Sequence, residues 1–385
     1  TVNIQGTARR IVRPLTDRSP GLKRWIVARA VSMRALEHSA ATRIPALIRP
    51  RTRNLTVAIT ANCNLRCEGC RYGRDFMPRQ ELPLQIVREM LDDAADAGVD
   101  SIRLYGGEPL LHRDLPRMVE HGTDLGLGVY VTTNATLLER RIDDLFAAGL
   151  RTLTIGFYGT DEAYDAYTGR AGAFARVERG VATVRERYGD AIRLRLNWLL
   201  MRPTANDRSL DQVLEFARRY DTPLQVDLVH YSLPYFTEGE DQRLQFREED
   251  RPAIQHIVRR LVDVKRTEPH LLEHSELGLW SIPDWLLRGA EMRVPCDKYE
   301  MLWIGADGSV QLCYVTFPLG NLHETRLRDI LYSESHFEAA RGAFQLNCPN
   351  CHCGYDSRTQ KHMGSRRRYG TTPPPSAAGA GEASR

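Results

Sequence analysis

Residues 55–70 read LTVAITANCNLRCEGC, an apolar, β-branched run that ends in three closely spaced cysteines. Such a run reads as a buried strand, so Cys63, Cys67 and Cys70 sit on the loop that leaves it. Five further β-like runs follow, each separated from the last by a helical pattern: Ser101–Tyr105, Gly128–Thr132, Thr152–Phe157, Arg193–Leu199 and Leu224–Val229. Leu84–Ala97 places Leu84, Val87, Leu91 and Ala94 on one face and stops at Gly98, and Phe174–Tyr188 stops likewise at Gly189. This alternation predicts an α/β protein whose six strand–helix units form a parallel sheet with right-handed crossovers, an open or partial barrel.

The 385 residues, 42% of them apolar, suffice for a barrel-sized domain with a smaller appendage. No apolar run approaches the roughly 20 residues needed to span a bilayer, and a cytoplasmic location is expected. Net charge is only +4, but residues 1–53 hold twelve Lys/Arg against Asp17 and Glu37, a basic N-terminal arm. Within it Leu22–Leu36 reads as a helix with Leu22, Ile26, Ala30 and Met33 on one face. Packing on the barrel with solvated arginines is preferred to lying on an anionic membrane surface, because basic charge alone is weak support for the latter. No nucleic-acid partner is expected. After Tyr231 the pattern turns charged and less regular. The division is therefore an arm at 1–53, a barrel at 54–231, a helical connection at 232–295, a cysteine-bearing domain at 296–356 and a tail at 357–385. The tail's Pro/Ala/Gly/Ser-rich end, Thr371–Arg385, has too little apolar surface to order itself.

All eight cysteines fall in two groups: Cys63, Cys67, Cys70, and Cys296, Cys313, Cys348, Cys351, Cys353. Clustering of this kind in a long chain favours metal binding over a disulfide framework. Three local thiolates leave one iron of a 4Fe–4S cluster open to a ligand. By spacing alone, a zinc or structural iron–sulfur site completed from elsewhere is the alternative.

The Cys63-x3-Cys67-x2-Cys70 loop resembles the signature of the radical S-adenosylmethionine (SAM) superfamily, and the resemblance extends over residues 55–231 in fold and motif order. It implies a partial (βα)6 barrel of radical SAM type in which Cys63, Cys67 and Cys70 bind a 4Fe–4S cluster. The open iron then chelates the amino and carboxylate groups of SAM. An electron from an external reductant such as flavodoxin or ferredoxin splits SAM into methionine and a 5′-deoxyadenosyl radical. One departure is Gly69, where relatives often have an aromatic residue before the third cysteine. Gly106, Gly107, Glu108 and Pro109 resemble the family's loop for the SAM ammonium, and Arg170 resembles an arginine near the SAM carboxylate. Strand ends are where barrel sites form, which adds Thr133, Asn134, Tyr158, Gly159, Asn197, His230 and Tyr231 to one expected pocket; Asn134 and Asn197 are counted with the cofactor-binding residues. Arg193 and Arg195 share a strand face. If they point inward they need a counter-charge, such as a bound carboxylate or a substrate acid; if the strand is flipped they are solvated.

Cys296, Gly308 five residues before Cys313, and Cys348-x2-Cys351-x-Cys353 resemble the SPASM or shorter twitch extensions of this superfamily, which carry auxiliary 4Fe–4S clusters. A zinc knuckle is the alternative. The resemblance implies one auxiliary cluster; the Cys348-x2-Cys351 spacing favours that pair, with Cys296 and Cys313 completing the site, and Cys353 is then either a candidate hydrogen-atom donor or an alternative ligand in the same turn. The expected function is oxidation or epimerisation at an unactivated C–H bond of a small molecule such as a sugar, cyclitol or similar metabolite. A maturase acting on a peptide, and a non-catalytic iron–sulfur carrier or sensor, are the alternatives.

Overall fold

The computed structural model describes residues 20–230, 243–314 and 316–362. Tyr231 and residues 363–385 of the predicted tail lie outside these, as do the side chains of Leu22, Ile26 and Ala30. Six parallel strands form the body of the molecule: β1 (Asn54–Thr60), β2 (Ser101–Gly106), β3 (Gly128–Thr133), β4 (Thr152–Phe157), β5 (Arg193–Leu200) and β6 (Leu224–Leu228). Each lies within a residue of its predicted ends.

Helices α2 (Leu84–Asp96), α3 (Leu115–Asp124), α4 (Leu138–Ala147), α5 (Asp161–Thr168), α6 (Ala173–Tyr188) and α7 (Asp207–Arg219) fill the crossovers, following α1 (Pro20–Ala41). Their apolar stripes, such as Val87, Met90 and Leu91 of α2, bury against the outward side chains of the strands. On β2 those are Ile102 and Leu104, both fully buried. Period-2 alternation then sends Arg103 and Tyr105 to the other face, into the lumen.

The sheet does not stop at six strands. Its order is β6-β5-β4-β3-β2-β1-β7-β8-β9, where β7 (Met301–Ile304), β8 (Ser309–Gln311) and β9 (Pro318–Asn321) come from the cysteine-bearing segment. Strand β7 pairs in parallel with β1, Asn54 opposite Met301 and Val57 opposite Ile304. Trp303 is fully buried at this seam, and its indole N–H donates to the Tyr105 hydroxyl of β2. The cysteine-bearing segment therefore continues the barrel's own sheet.

The connection contributes α8 (Arg251–Thr267) and α9 (Glu276–Arg288), and the C-terminal side adds α10 (Leu327–Ile330), α11 (Glu334–Phe344) and α12 (Tyr355–Lys361). Helix α12 corrects the tail boundary drawn at 357, since Arg358 and Thr359 are buried there. What orders so polar a segment is hydrogen bonding. Arg358 donates to the carbonyls of Val294, Pro295 and Cys351, and Thr359 receives the Trp285 indole N–H.

Of the predicted apolar face of helix α1, only the Met33 side chain is among those described. Met33 is exposed, whereas His38 is buried with its Nε2 2.8 Å from the Tyr299 hydroxyl, and Arg34 pairs with Glu300. Among the described residues no helix is long and apolar enough to cross a membrane.

Candidate active site: a lumen between two cysteine groups

The loop after β1 is shaped by its neighbour after β2. Gly107 N–H donates to Thr60 O at 2.8 Å and Glu108 N–H to Asn62 O at 2.7 Å. A Cβ on Gly106 or Gly107 would collide with those carbonyls, so only glycine lets the two loops lie together. Gly69 has φ 75°, a left-handed conformation that disfavours the aromatic residue seen in relatives. Arg74, an exposed residue at the mouth of the cavity, caps the loop, its Nε 2.8 Å from Cys70 O.

Cys63, Cys67 and Cys70 are free thiols, and all three line a cavity of about 1620 Å³ that runs down the lumen. Burial pushes the Cys63 thiol up to about 11. A thiolate there is favoured by a bound cation and by N–H donors, and the loop provides the donors: Leu65 N–H points at Cys63 Sγ at 3.4 Å, and Tyr72 N–H serves Cys70.

The same device, an N–H two residues beyond the sulfur, recurs at Cys296 from Lys298 (3.4 Å), at Cys348 from Asn350 and at Cys351 from Cys353 (3.4 Å). All five cysteines of the second group line one small cavity. Cys353 also lines the lumen, with its Sγ 4.0 Å from His230 Nε2. Its hydrogen bond to Cys351 pulls the Cys351 thiol down and pushes the Cys353 thiol up. Both groups thus have the free thiols and N–H donors that a thiolate-bound iron–sulfur cluster requires.

The predicted pocket residues divide. Gly106, Gly107, Thr133, Asn134, Tyr158, Asn197 and His230 line the lumen. Asn134 Nδ2 donates to Asn64 Oδ1 at 2.9 Å, bracing the cysteine loop, and Asn197 Nδ2 donates to Asp227 at 3.0 Å.

Glu108 does not line it. Its carboxylate is fully buried and accepts from Thr133 Oγ1 (2.6 Å), Asn134 N (2.7 Å) and Leu110 N (2.9 Å), while burial lifts its pKa to about 7. The expected pairing of this side chain with an ammonium is corrected: the carboxylate ties the β2 loop to the end of β3. Pro109 starts the short turn behind it and is buried. Arg170 is exposed, and its Nη1 donates to Asn64 O at 2.7 Å, so it props the cysteine loop from outside the cavity.

Arg195 does point into the lumen, and its counter-charge is Glu273, with Nε to Oε2 2.8 Å; Arg193 on the rim shares the same carboxylate. Sequence reasoning missed that pairing, because Glu273 comes from the connection. It also missed Arg103, Tyr130 and Asp227, although their alternation with apolar neighbours placed them inward.

A model of the Radical SAM superfamily matches residues 57–217, and a model of the iron–sulfur cluster-binding SPASM domain matches residues 296–354. The chain belongs to the radical SAM superfamily and carries a C-terminal SPASM domain. With those domains come a SAM-binding 4Fe–4S cluster and auxiliary iron–sulfur binding.

Among its relatives, the AdoMet-dependent heme synthase of Methanosarcina barkeri is 26% identical over 311 residues, covering 75% of this chain and 84% of that protein. The GTP 3′,8-cyclase of Marinobacter nauticus is 28% identical over 289 residues, 71% and 81% of the two chains. The fold is similar to Streptococcus suis SuiB bound to the precursor peptide SuiA, with TM-score 0.60, 17% identity and coverage of 80% and 71%. It is also similar to anSMEcpe with bound AdoMet, with TM-score 0.57, 17% identity and coverage of 77% and 81%.

Proposed function

We propose that this enzyme abstracts a hydrogen atom from an unactivated C–H bond of a small polar metabolite seated in the lumen, and that oxidation or epimerisation follows. The observation that carries the reading is continuity: one cavity is lined by Cys63, Cys67 and Cys70 at one side and by Cys353 at another. Between them the lining is hydrogen-bonding, with Thr132, Asn197, Gln225 and Asp227 among it, which suits a hydroxyl-rich ligand such as a sugar or cyclitol.

When bound, the cluster on Cys63, Cys67 and Cys70 supplies the electron that cleaves SAM. The chain's own residues do the rest. The Gly106–Gly107 backbone, held by Glu108, forms the wall against which SAM lies, and the lumen excludes water from the substrate radical. Two outcomes balance. In oxidation the substrate radical loses one electron and one proton; Cys296, Cys313, Cys348 and Cys351 would hold the auxiliary cluster, which would supply the electron acceptor. In epimerisation the Cys353 thiol returns a hydrogen atom, and the resulting thiyl regains one electron from the external reductant and one proton from solvent.

Reduced holoenzyme should form 5′-deoxyadenosine from SAM, and a substrate panel run in D2O separates the outcomes. Deuterium at the reacting carbon marks return from the exchangeable Cys353 thiol, and its absence with an oxidised product marks electron transfer. Turnover of peptides only would replace the small-molecule reading by a maturase. No 5′-deoxyadenosine under reducing conditions would sink the enzyme reading in favour of a carrier.

A further inference from the structure

Arg103 and Arg195 both point into the lumen from barrel strands, and they differ in one respect. Arg195 has Glu273 as its counter-ion, whereas Arg103 on β2 makes no ion pair with any described residue. Its Nε donates to Thr132 Oγ1 at 2.9 Å and its Nη1 to the Tyr314 hydroxyl at 3.3 Å, and its guanidinium lies 4.8 Å from the Tyr105 ring centre. All three partners are neutral. A guanidinium carries five N–H donors, so three remain for whatever enters the cavity. The carboxylate nearest in function, Asp227, is engaged by Asn197 Nδ2 at 3.0 Å and by Leu228 N at 3.1 Å. Asp227 acts on Arg103 only through space, so the enclosed cation lacks a contact ion pair, and a ligand that brings an anion into contact recovers part of its desolvation cost.

Depth decides which ligand. Arg103 precedes Gly106 by three residues on a strand that rises about 3.3 Å per residue, which sets it about 10 Å below the loops where SAM lies. Tyr130 is its register partner on β3, and Tyr314 reaches it from the SPASM segment, so two phenols flank the guanidinium.

We propose that the lumen floor is a substrate-specificity site in which Arg103, flanked by Tyr130 and Tyr314, receives an oxyanion of the substrate, a carboxylate or a phosphate. Guanidinium geometry matches either with two parallel bonds. The inference rests on the reading that substrate enters the lumen, and it narrows the substrate class to anionic metabolites.

The test titrates SAM-loaded holoenzyme with acetate and with inorganic phosphate, against chloride at matched ionic strength, following thermal stability and Trp fluorescence. One of the two anions should stabilise the wild type saturably, and the better one names the group. Arg103→Gln should raise the half-saturation concentration at least tenfold while leaving SAM affinity and 5′-deoxyadenosine formation without substrate unchanged. An equal response in Arg103→Gln, or no anion response in the wild type, overturns the proposal. Loss of SAM affinity in the variant with the anion response intact also overturns it, since Arg103 would then serve SAM. Should Arg103→Gln fail to keep its clusters, Arg103→Lys carries the test, because it keeps the charge and loses the fork; an unchanged half-saturation there overturns the proposal. Anion binding in a protein that never cleaves SAM would leave this site standing and remove the proposed function, while SAM cleavage without anion binding does the reverse.

Discussion

The two cysteine groups are braced by arginines in opposite ways. Around Cys63, Cys67 and Cys70 the braces come from the surface: Arg74 on Cys70 O and Arg170 on Asn64 O are both exposed. Around the second group the brace is Arg358, 1% exposed, stacked 4.7 Å from the Trp285 ring and bonded to carbonyls on both sides of the site, Val294 and Pro295 before Cys296 and Cys351 beyond it. A loop that must admit and release SAM and its products is held by bonds that water can replace. A site with no such traffic is locked into the core. The difference teaches that burial of the brace, more than the number of thiols, separates a working cluster loop from a fixed one.

The comparison breaks first at the thiols themselves. Replacing Cys63, Cys67 and Cys70 together with Ala should abolish 5′-deoxyadenosine formation and leave the iron of the second group in place; surviving SAM cleavage would show the two groups have been assigned the wrong way round. Next comes Arg358→Ala, which strands several buried carbonyls at about 1–3 kcal/mol each. Iron analysis should show loss of the auxiliary iron with the first cluster retained, and melting should show a large fall in stability. An unchanged melting curve would mean the buried brace is dispensable.

Glu108→Gln sharpens the contrast at the open site, because an amide there meets N–H donors with half its acceptors gone. A loss of about 1.5–3 kcal/mol in loop stability is expected, with weaker SAM binding as its consequence, measurable by calorimetry. The sign with pH follows from its raised value. Burial moves the carboxyl from 4.5 to about 7 in the folded chain, so the native state holds its proton more tightly than the unfolded one. Its ionisation therefore lowers stability as pH rises through that window, and the Gln variant should lack this slope. The smallest effect belongs to Arg74→Ala. An exposed brace should cost under about 1 kcal/mol, and a drop as large as that of Arg358→Ala would erase the distinction between the two sites.

The six strands were legible because each is a short apolar run bounded by turns, and both cysteine groups were legible by spacing. Strands β7 to β9 were not. They span three or four residues each, and the pairing of β7 with β1, on which β8 and β9 then add, joins segments far apart in the chain that no local pattern records. The role of Glu108 was hidden for a similar reason, since its three donors come from its own loop and from β3. Arg103 was in view as an arginine between Ile102 and Leu104, on the face that also holds Tyr105. What the alternation could not say was that Arg195 would pair with Glu273 and that Arg103 would make no ion pair with any described residue.

The seam between β1 and β7 bears on how the chain reaches its native state. Strand β1 carries the cysteine loop and is flanked by β2 on one edge and by β7, some 250 residues later, on the other. Parallel pairing at such separation is entropically expensive and slow to form. Until residues 301–304 arrive, the strand that bears Cys63, Cys67 and Cys70 presents an open row of backbone donors and acceptors, the kind of edge that recruits strands from other chains. Completion of the SPASM segment is thus also the step that closes this edge, and a chain interrupted before it should aggregate.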